Sequence, residues 1–146
     1  MAAATQGDGE AIALVDEAAT ATLARQFASF VRPGDFIALS GDLGAGKTAL
    51  VRAVLRALAD DPGLEAPSPT FTLMQVYDGP GFPVVHADFY RLRGDDELAQ
   101  IGWDEAIDGA AKLQENRSAR LANAVAHDRT PYAVRWHRIG ICKSDE

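Results

Sequence analysis

Phe36-Ile37-Ala38-Leu39-Ser40-Gly41-Asp42-Leu43-Gly44-Ala45-Gly46-Lys47-Thr48 is the stretch on which the rest of the chain turns. The apolar run Phe36 to Leu39 reads as a buried strand. It ends at a glycine-rich loop, and a helical pattern starts at Lys47, with Leu50, Val51, Val54, Leu55 and Leu58 on one face. The loop fits the pattern Gly-x4-Gly-Lys-[Ser/Thr], and each of its parts has a physical reason. Gly41, Gly44 and Gly46 let the backbone curl so that several N–H groups point inward at anionic oxygens. A helix starting at Lys47 adds the positive end of its dipole. Lys47 offers a mobile cation to the outer phosphates, and the Thr48 hydroxyl is a candidate Mg²⁺ ligand. A chance glycine turn would lack the strand before it and the amphipathic helix after it.

Working outward, Leu14 to Val31 reads as a helix, with Asp16 as its cap and Leu23, Phe27 and Phe30 at helical spacing. Arg32-Pro33-Gly34-Asp35 is a turn, and Asp60-Asp61-Pro62-Gly63 stops the second helix. Thr70 to Tyr77 and Pro83 to Tyr90 read as strands, paired as a hairpin or lying as neighbours, around the turn Asp78-Gly79-Pro80-Gly81. Asp95 to Leu98 and Ile101 to Ile107 read as short helices. The order predicts an α/β fold of three layers: a P-loop NTPase-like mixed sheet flanked by helices.

The 146 residues, 47% apolar and 24% charged, suit one domain with a real core. A single cysteine, Cys142, leaves no disulfide framework and fits a reducing, cytoplasmic setting. No apolar run approaches the roughly 18 residues of a membrane span. Residues 1–10 are small, polar and acidic and read as a disordered lead-in. The net charge of −7 argues against binding nucleic acid by charge alone. That charge is uneven. Residues 1–109 hold 7 Lys/Arg against 17 Asp/Glu, whereas residues 110–146 hold 7 against 4.

A nucleotide site also needs an acid for the cation and a group to position water. Asp88 is the best candidate, at the end of Val85-His86-Ala87-Asp88-Phe89-Tyr90-Arg91. The C-terminal end of a strand is where ligands bind in open α/β sheets. In alternation His86, Asp88 and Tyr90 share a face, and the alternative for Asp88 is a solvated strand end paired with Arg91 or Arg93. Pro67-Ser68-Pro69-Thr70-Phe71-Thr72 places three hydroxyls in a stiffened loop.

Together, Leu39 to Thr48, Ser68-Pro69-Thr70-Phe71-Thr72-Leu73 and His86-Ala87-Asp88-Phe89-Tyr90-Arg91-Leu92 closely resemble the bacterial TsaE (YjeE) family, over about residues 14–109. The family comprises small ATPases of tRNA threonylcarbamoyladenosine biosynthesis. The resemblance implies binding and hydrolysis of ATP with Mg²⁺ in a complex with TsaB and TsaD. TsaD transfers the threonylcarbamoyl group to adenosine 37 of tRNAs, so contact with tRNA is indirect, and no membrane is involved. ATP rather than GTP rests on this resemblance. It also implies that Gly41, Asp42, Gly44, Ala45, Gly46, Lys47, Thr48 and Ala49 hold the nucleotide phosphates. Thr20, in Asp16-Glu17-Ala18-Ala19-Thr20, would border the adenine. Lys47 and Asp88 would serve the catalytic centre and Thr48 the metal. Ser68, Pro69, Thr70 and Thr72 would form a nucleotide-sensitive switch near the partner interface.

Beyond Gly109 the family continues with a core strand ending in Glu-Trp-Pro-Glu, whose first glutamate is similar to a Walker B acid. Here the chain reads Ala110-Ala111-Lys112-Leu113-Gln114-Glu115-Asn116-Arg117-Ser118. The flanks of Glu115 do not read as an apolar strand, so the role is not carried over to it. The expectation is an ATPase domain over residues 11–109 and a divergent basic tail over 110–146. That tail is either a frameshift product that leaves the sheet incomplete or a lineage-specific surface. Arg117, Arg120, Arg129, Arg135 and Arg138, with Trp136, are then available to tRNA or a partner. A nucleotide-binding adaptor without hydrolysis and a small-molecule kinase are the competing functions.

Overall fold

Alternation along the strands sends their side chains into two separate cores, and this fixes the layers. From β1 (Phe36–Ser40), Ile37 and Leu39 enter one core, while Phe36 and Ala38 enter the other. The first core lies under α1 (Glu17–Phe30) and α2 (Lys47–Ala59), where Ala24, Leu50, Val51, Val54, Leu55 and Leu58 are buried. The second lies under α3 (Trp103–Ala106), whose Trp103 stacks edge-on against Phe89 with ring centroids 5.0 Å apart. A computed structural model describes residues 11–42, 44–69, 72–89, 97, 100–116 and 136–140, Asn116 and residues 136–140 by backbone alone.

The remaining strands are β2 (Met74–Asp78), β3 (Pro83–Asp88), β4 (Ala111–Asn116) and β5 (Trp136–Gly140). They form one sheet in the order β2-β3-β4-β1-β5. β1 runs parallel to β4 and β5, β3 runs parallel to β4, and only β2 is antiparallel to its neighbour. The mixed three-layer α/β expectation holds.

The boundaries differ where backbone geometry intervenes. The first helix begins at Glu17 rather than Leu14, because Asp16 is extended (φ −157°, ψ 177°) and its carboxylate accepts from the Ala19 N–H at 2.8 Å. β2 begins at Met74 rather than Thr70, because Leu73 takes the left-handed conformation (φ 63°). β2 and β3 do form a hairpin. In its turn Gly79 donates to the Phe82 carbonyl at 2.9 Å, and a Cβ on Gly79 would lie 2.6 Å from that same oxygen. The short helix expected at Asp95–Leu98 lies outside the described residues, apart from helical Glu97.

Residues 110–146 also contribute to the sheet. β4 and β5 flank β1 on its two sides. The registers Leu39↔Glu115 and Ala38↔Arg138 seat both segments in the sheet. β4 escapes recognition because its second face is polar. Ala111, Leu113 and Glu115 alternate with Lys112 and Gln114, and all five are buried. Lys112 is accommodated by reaching the Gly34 carbonyl at 3.4 Å.

Two stability measurements check this account. Leu113→Ala should cost about 2–5 kcal/mol in urea denaturation, as for any buried leucine, whereas a residue in an unfolded tail would leave the midpoint unchanged. Burial pushes the Lys112 ammonium below its ordinary value, against the opposing pull of Asp35. Between the lowered folded value and the ordinary one, the unfolded chain binds a proton that the folded chain does not. Stability therefore rises with pH across that window, and Lys112→Met should flatten the rise.

Candidate functional site

β1, β4 and β3 are parallel, so their C-terminal ends meet at one edge of the sheet, and the candidate residues converge there. From β1 the chain enters the glycine loop and then α2. Gly46 caps that helix in the left-handed region (φ 100°), and Gly44 is left-handed too (φ 79°). Gly46 offers no capping side chain, and among the described residues no side-chain cap hydrogen bond is made at this N-terminus. Lys47 is buried and folds back over the loop, donating to the carbonyls of Gly41 at 2.6 Å and Asp42 at 2.9 Å. Its ammonium is thereby held against the carbonyls of the loop itself.

The next residue, Thr48, donates its hydroxyl to Oε1 of Glu115 at 2.7 Å. The second oxygen, Oε2, lies 2.5 Å from Nε2 of His86. Glu115 is only 2% exposed and His86 is fully buried, so this is an internal, water-excluded cluster. It is built by register. Glu115 stands opposite Asp88 on β3 and opposite Leu39 on β1, and His86 is two residues before Asp88 on the same face. Asp88 is half-buried, and its Oδ2 accepts from the Ser68 hydroxyl at 3.3 Å. The Asp88 N–H donates to the Leu73 carbonyl at 3.0 Å, and the Leu73 N–H to the Pro69 carbonyl at 2.8 Å. Ser68, Pro69 and Leu73 are thus linked to the end of β3 beside the acid.

The sequence candidates fall into three groups. Gly41, Asp42, Gly44, Ala45, Gly46, Lys47 and Thr48 form the loop and the start of α2, with Ala45 donating to the Asp42 carbonyl at 3.0 Å. Ser68, Pro69 and Asp88 lie at the adjacent strand end, and Thr72 is exposed on the same loop. Ala49 is exposed on α2, and Thr20 sits in the first turn of α1 with its hydroxyl on the Asp16 carbonyl at 3.4 Å. Leu43, Thr70 and Tyr90 lie outside the described residues. The residue missed in the sequence is Glu115. The spacing Ala111, Leu113, Glu115 was the available signal, masked by the buried Lys112 and Gln114 between them.

Among the described residues no cluster of three His, Cys, Asp or Glu side chains forms a self-sufficient metal site. A hydroxyl and a single carboxylate beside a phosphate cradle suit Mg²⁺, which keeps waters and takes much of its coordination from phosphate oxygens.

Fold and cradle together define a P-loop NTPase-like protein. The profile of the family described as "Threonylcarbamoyl adenosine biosynthesis protein TsaE" matches residues 14–136, and the chain belongs to that family. The match extends past Gly109 and takes in β4. The "tRNA threonylcarbamoyladenosine biosynthesis protein TsaE" of Rickettsia typhi is 38% identical over 102 residues, 70% of each chain. The Streptomyces coelicolor protein of the same name is 37% identical over 110 residues, covering 68% of this chain and 73% of its own. The crystal structure of Bacillus subtilis YdiB superimposes with a TM-score of 0.58 at 27% identity, over 90% of this chain and 76% of that one.

Lys47→Ala removes the charge-assisted donors from the cradle, a loss of about 1.5–3 kcal/mol. Calorimetric titration with a nucleoside triphosphate should show affinity lowered roughly 10- to 100-fold, with the thermal midpoint little changed.

Proposed function

We propose that this protein binds and hydrolyses ATP with Mg²⁺ in support of threonylcarbamoyladenosine formation on tRNA, working with TsaB and TsaD partners in the cytoplasm. The observation that carries the proposal is the hydrogen bond between Thr48 and Glu115. It supplies, at the base of the phosphate cradle, the acid that the sequence did not reveal. The Thr48 O–H donates its hydrogen bond to Glu115, so the hydroxyl lone pairs are left for the cation. Lys47 and the loop amides stabilise charge on the outer phosphates as it develops. When bound, Mg²⁺ would neutralise phosphate charge and orient the outer phosphates, held by Thr48 with Glu115 behind it. Asp88, beside Glu115 at the strand ends, is the group placed to orient an attacking water. Its link to Ser68 gives the Ser68–Thr72 loop a way to respond to what the site holds.

The adaptor reading rested on a missing acid, and Glu115 occupies that role in the proposed site. Family membership places the chain in threonylcarbamoyladenosine biosynthesis, which also weighs against a small-molecule kinase. Among the described residues no helix is long and apolar enough to cross a membrane.

Phosphate release measured with TsaB and TsaD present tests the proposal. Wild type should turn over ATP in a Mg²⁺-dependent way, and Asp88→Asn should reduce kcat by at least about tenfold with a smaller change in KM. Wild type that binds ATP but releases no phosphate with both partners present would reject hydrolysis and restore the adaptor.

A further inference from the structure

His86 is a buried polar group whose presence the phosphate cradle does not explain. It lies on β3 among Val84, Val85 and Ala87, all of them buried, where an apolar side chain would be the ordinary choice. Its Nε2 meets Glu115 Oε2 at 2.5 Å. Its Nδ1 is buried with no hydrogen-bond partner among the described residues. A buried polar atom ordinarily has a hydrogen-bond partner, so packing alone accounts poorly for the imidazole. Its one polar contact in the described structure is with the acid of the candidate site.

The geometry gives that contact a specific consequence. With Glu115 ionised, its carboxylate only accepts, and the His86 ring is the donor of the contact through Nε2. Glu115 then has one donor on each oxygen, the Thr48 hydroxyl on Oε1 and the His86 ring on Oε2. Two donors from different elements, α2 and β3, stop the carboxylate from rotating about its terminal bond. With the carboxylate fixed, Oε1 stays on the Thr48 hydroxyl and the lone pairs of that hydroxyl face away from Glu115. Free to rotate, the carboxylate would leave Thr48 as a poorly oriented ligand. The outer partner of a metal-site ligand commonly acts in this way.

We infer that His86 is a positioning residue, which holds Glu115 so that Thr48 presents its oxygen to the divalent cation accompanying a bound nucleotide. The inference rests on the nucleotide reading above and deepens it. His86 touches neither phosphate nor cation, and its effect passes entirely through Glu115.

The test is ATP affinity measured by calorimetry across a Mg²⁺ series and in EDTA, for wild type, His86→Leu and His86→Gln. Wild type should gain affinity as Mg²⁺ is added. His86→Leu should lose about tenfold or more of that gain while its affinity in EDTA stays within about twofold of wild type. His86→Gln, whose amide N–H reaches the same carboxylate oxygen, should keep most of the gain. If His86→Leu does not fold, His86→Asn replaces it: too short to reach Glu115, it should lose the gain that His86→Gln keeps. Equal loss in the glutamine variant and the variant without a donor overturns the inference, as does a full Mg²⁺ gain without a donor. Equal weakening in Mg²⁺ and in EDTA marks a merely structural histidine and overturns it as well. Wild type that binds no ATP under any condition rejects the nucleotide reading itself, and this inference with it.

Discussion

The carboxylate of Glu115, buried in the middle of the sheet and held at both oxygens, is the constraint on which the rest of the site depends. A charged group at 2% exposure is tolerable only where donors replace the water it has lost. The Thr48 hydroxyl from α2 donates at 2.7 Å, and the His86 ring from β3 meets the second oxygen at 2.5 Å. One side chain thereby joins three consecutive layers of cause: the strand order that brings β4 between β3 and β1, the helix that starts at the phosphate loop, and the hairpin that delivers His86 and Asp88. Displacing β4 by one residue would turn Glu115 to the opposite face and leave Thr48 and His86 without their shared partner.

The parallel strands explain why the candidate residues gather at one edge. A strand followed by a loop and a helix puts the loop at the strand's C-terminal end, and three parallel neighbours put three such ends together. Between those ends the sequence of β4 departs from an apolar pattern. Lys112 and Gln114 occupy the second face of β4, where other buried positions are apolar. The lysine survives there because its stem is apolar and its ammonium finds the Gly34 carbonyl at the end of the strand where Asp35 also lies.

Local rules made most of this fold legible. The phosphate loop, the flanking strand and helix, the Asp16 cap and the β2–β3 hairpin all follow from patterns within ten or so residues. The spacing of glycines, lysine and threonine in residues 41–48 was enough to place a glycine loop between β1 and α2. What could not be read locally was decided by tertiary context. β4 lacks the apolar signature of a buried parallel strand because one face carries Lys112 and Gln114, and only the pairing with Phe36–Ser40 shows it as a strand. Glu115 was hidden for the same reason: its significance comes from Thr48, 67 residues earlier, and His86, 29 residues earlier. Leu73, in a run of strand formers, breaks the strand through a left-handed backbone that propensity does not foretell.

The central claim is that β4 delivers Glu115 to the nucleotide's cation through Thr48. A crystal structure of the protein with Mg²⁺ and a non-hydrolysable ATP analogue tests it most directly. The account predicts a cation about 2.1 Å from Thr48 Oγ1, with Glu115 still hydrogen-bonded to that hydroxyl or joined to the cation through one water. A cation coordinated in the cradle with Glu115 turned away, and another acid in its place, would contradict it.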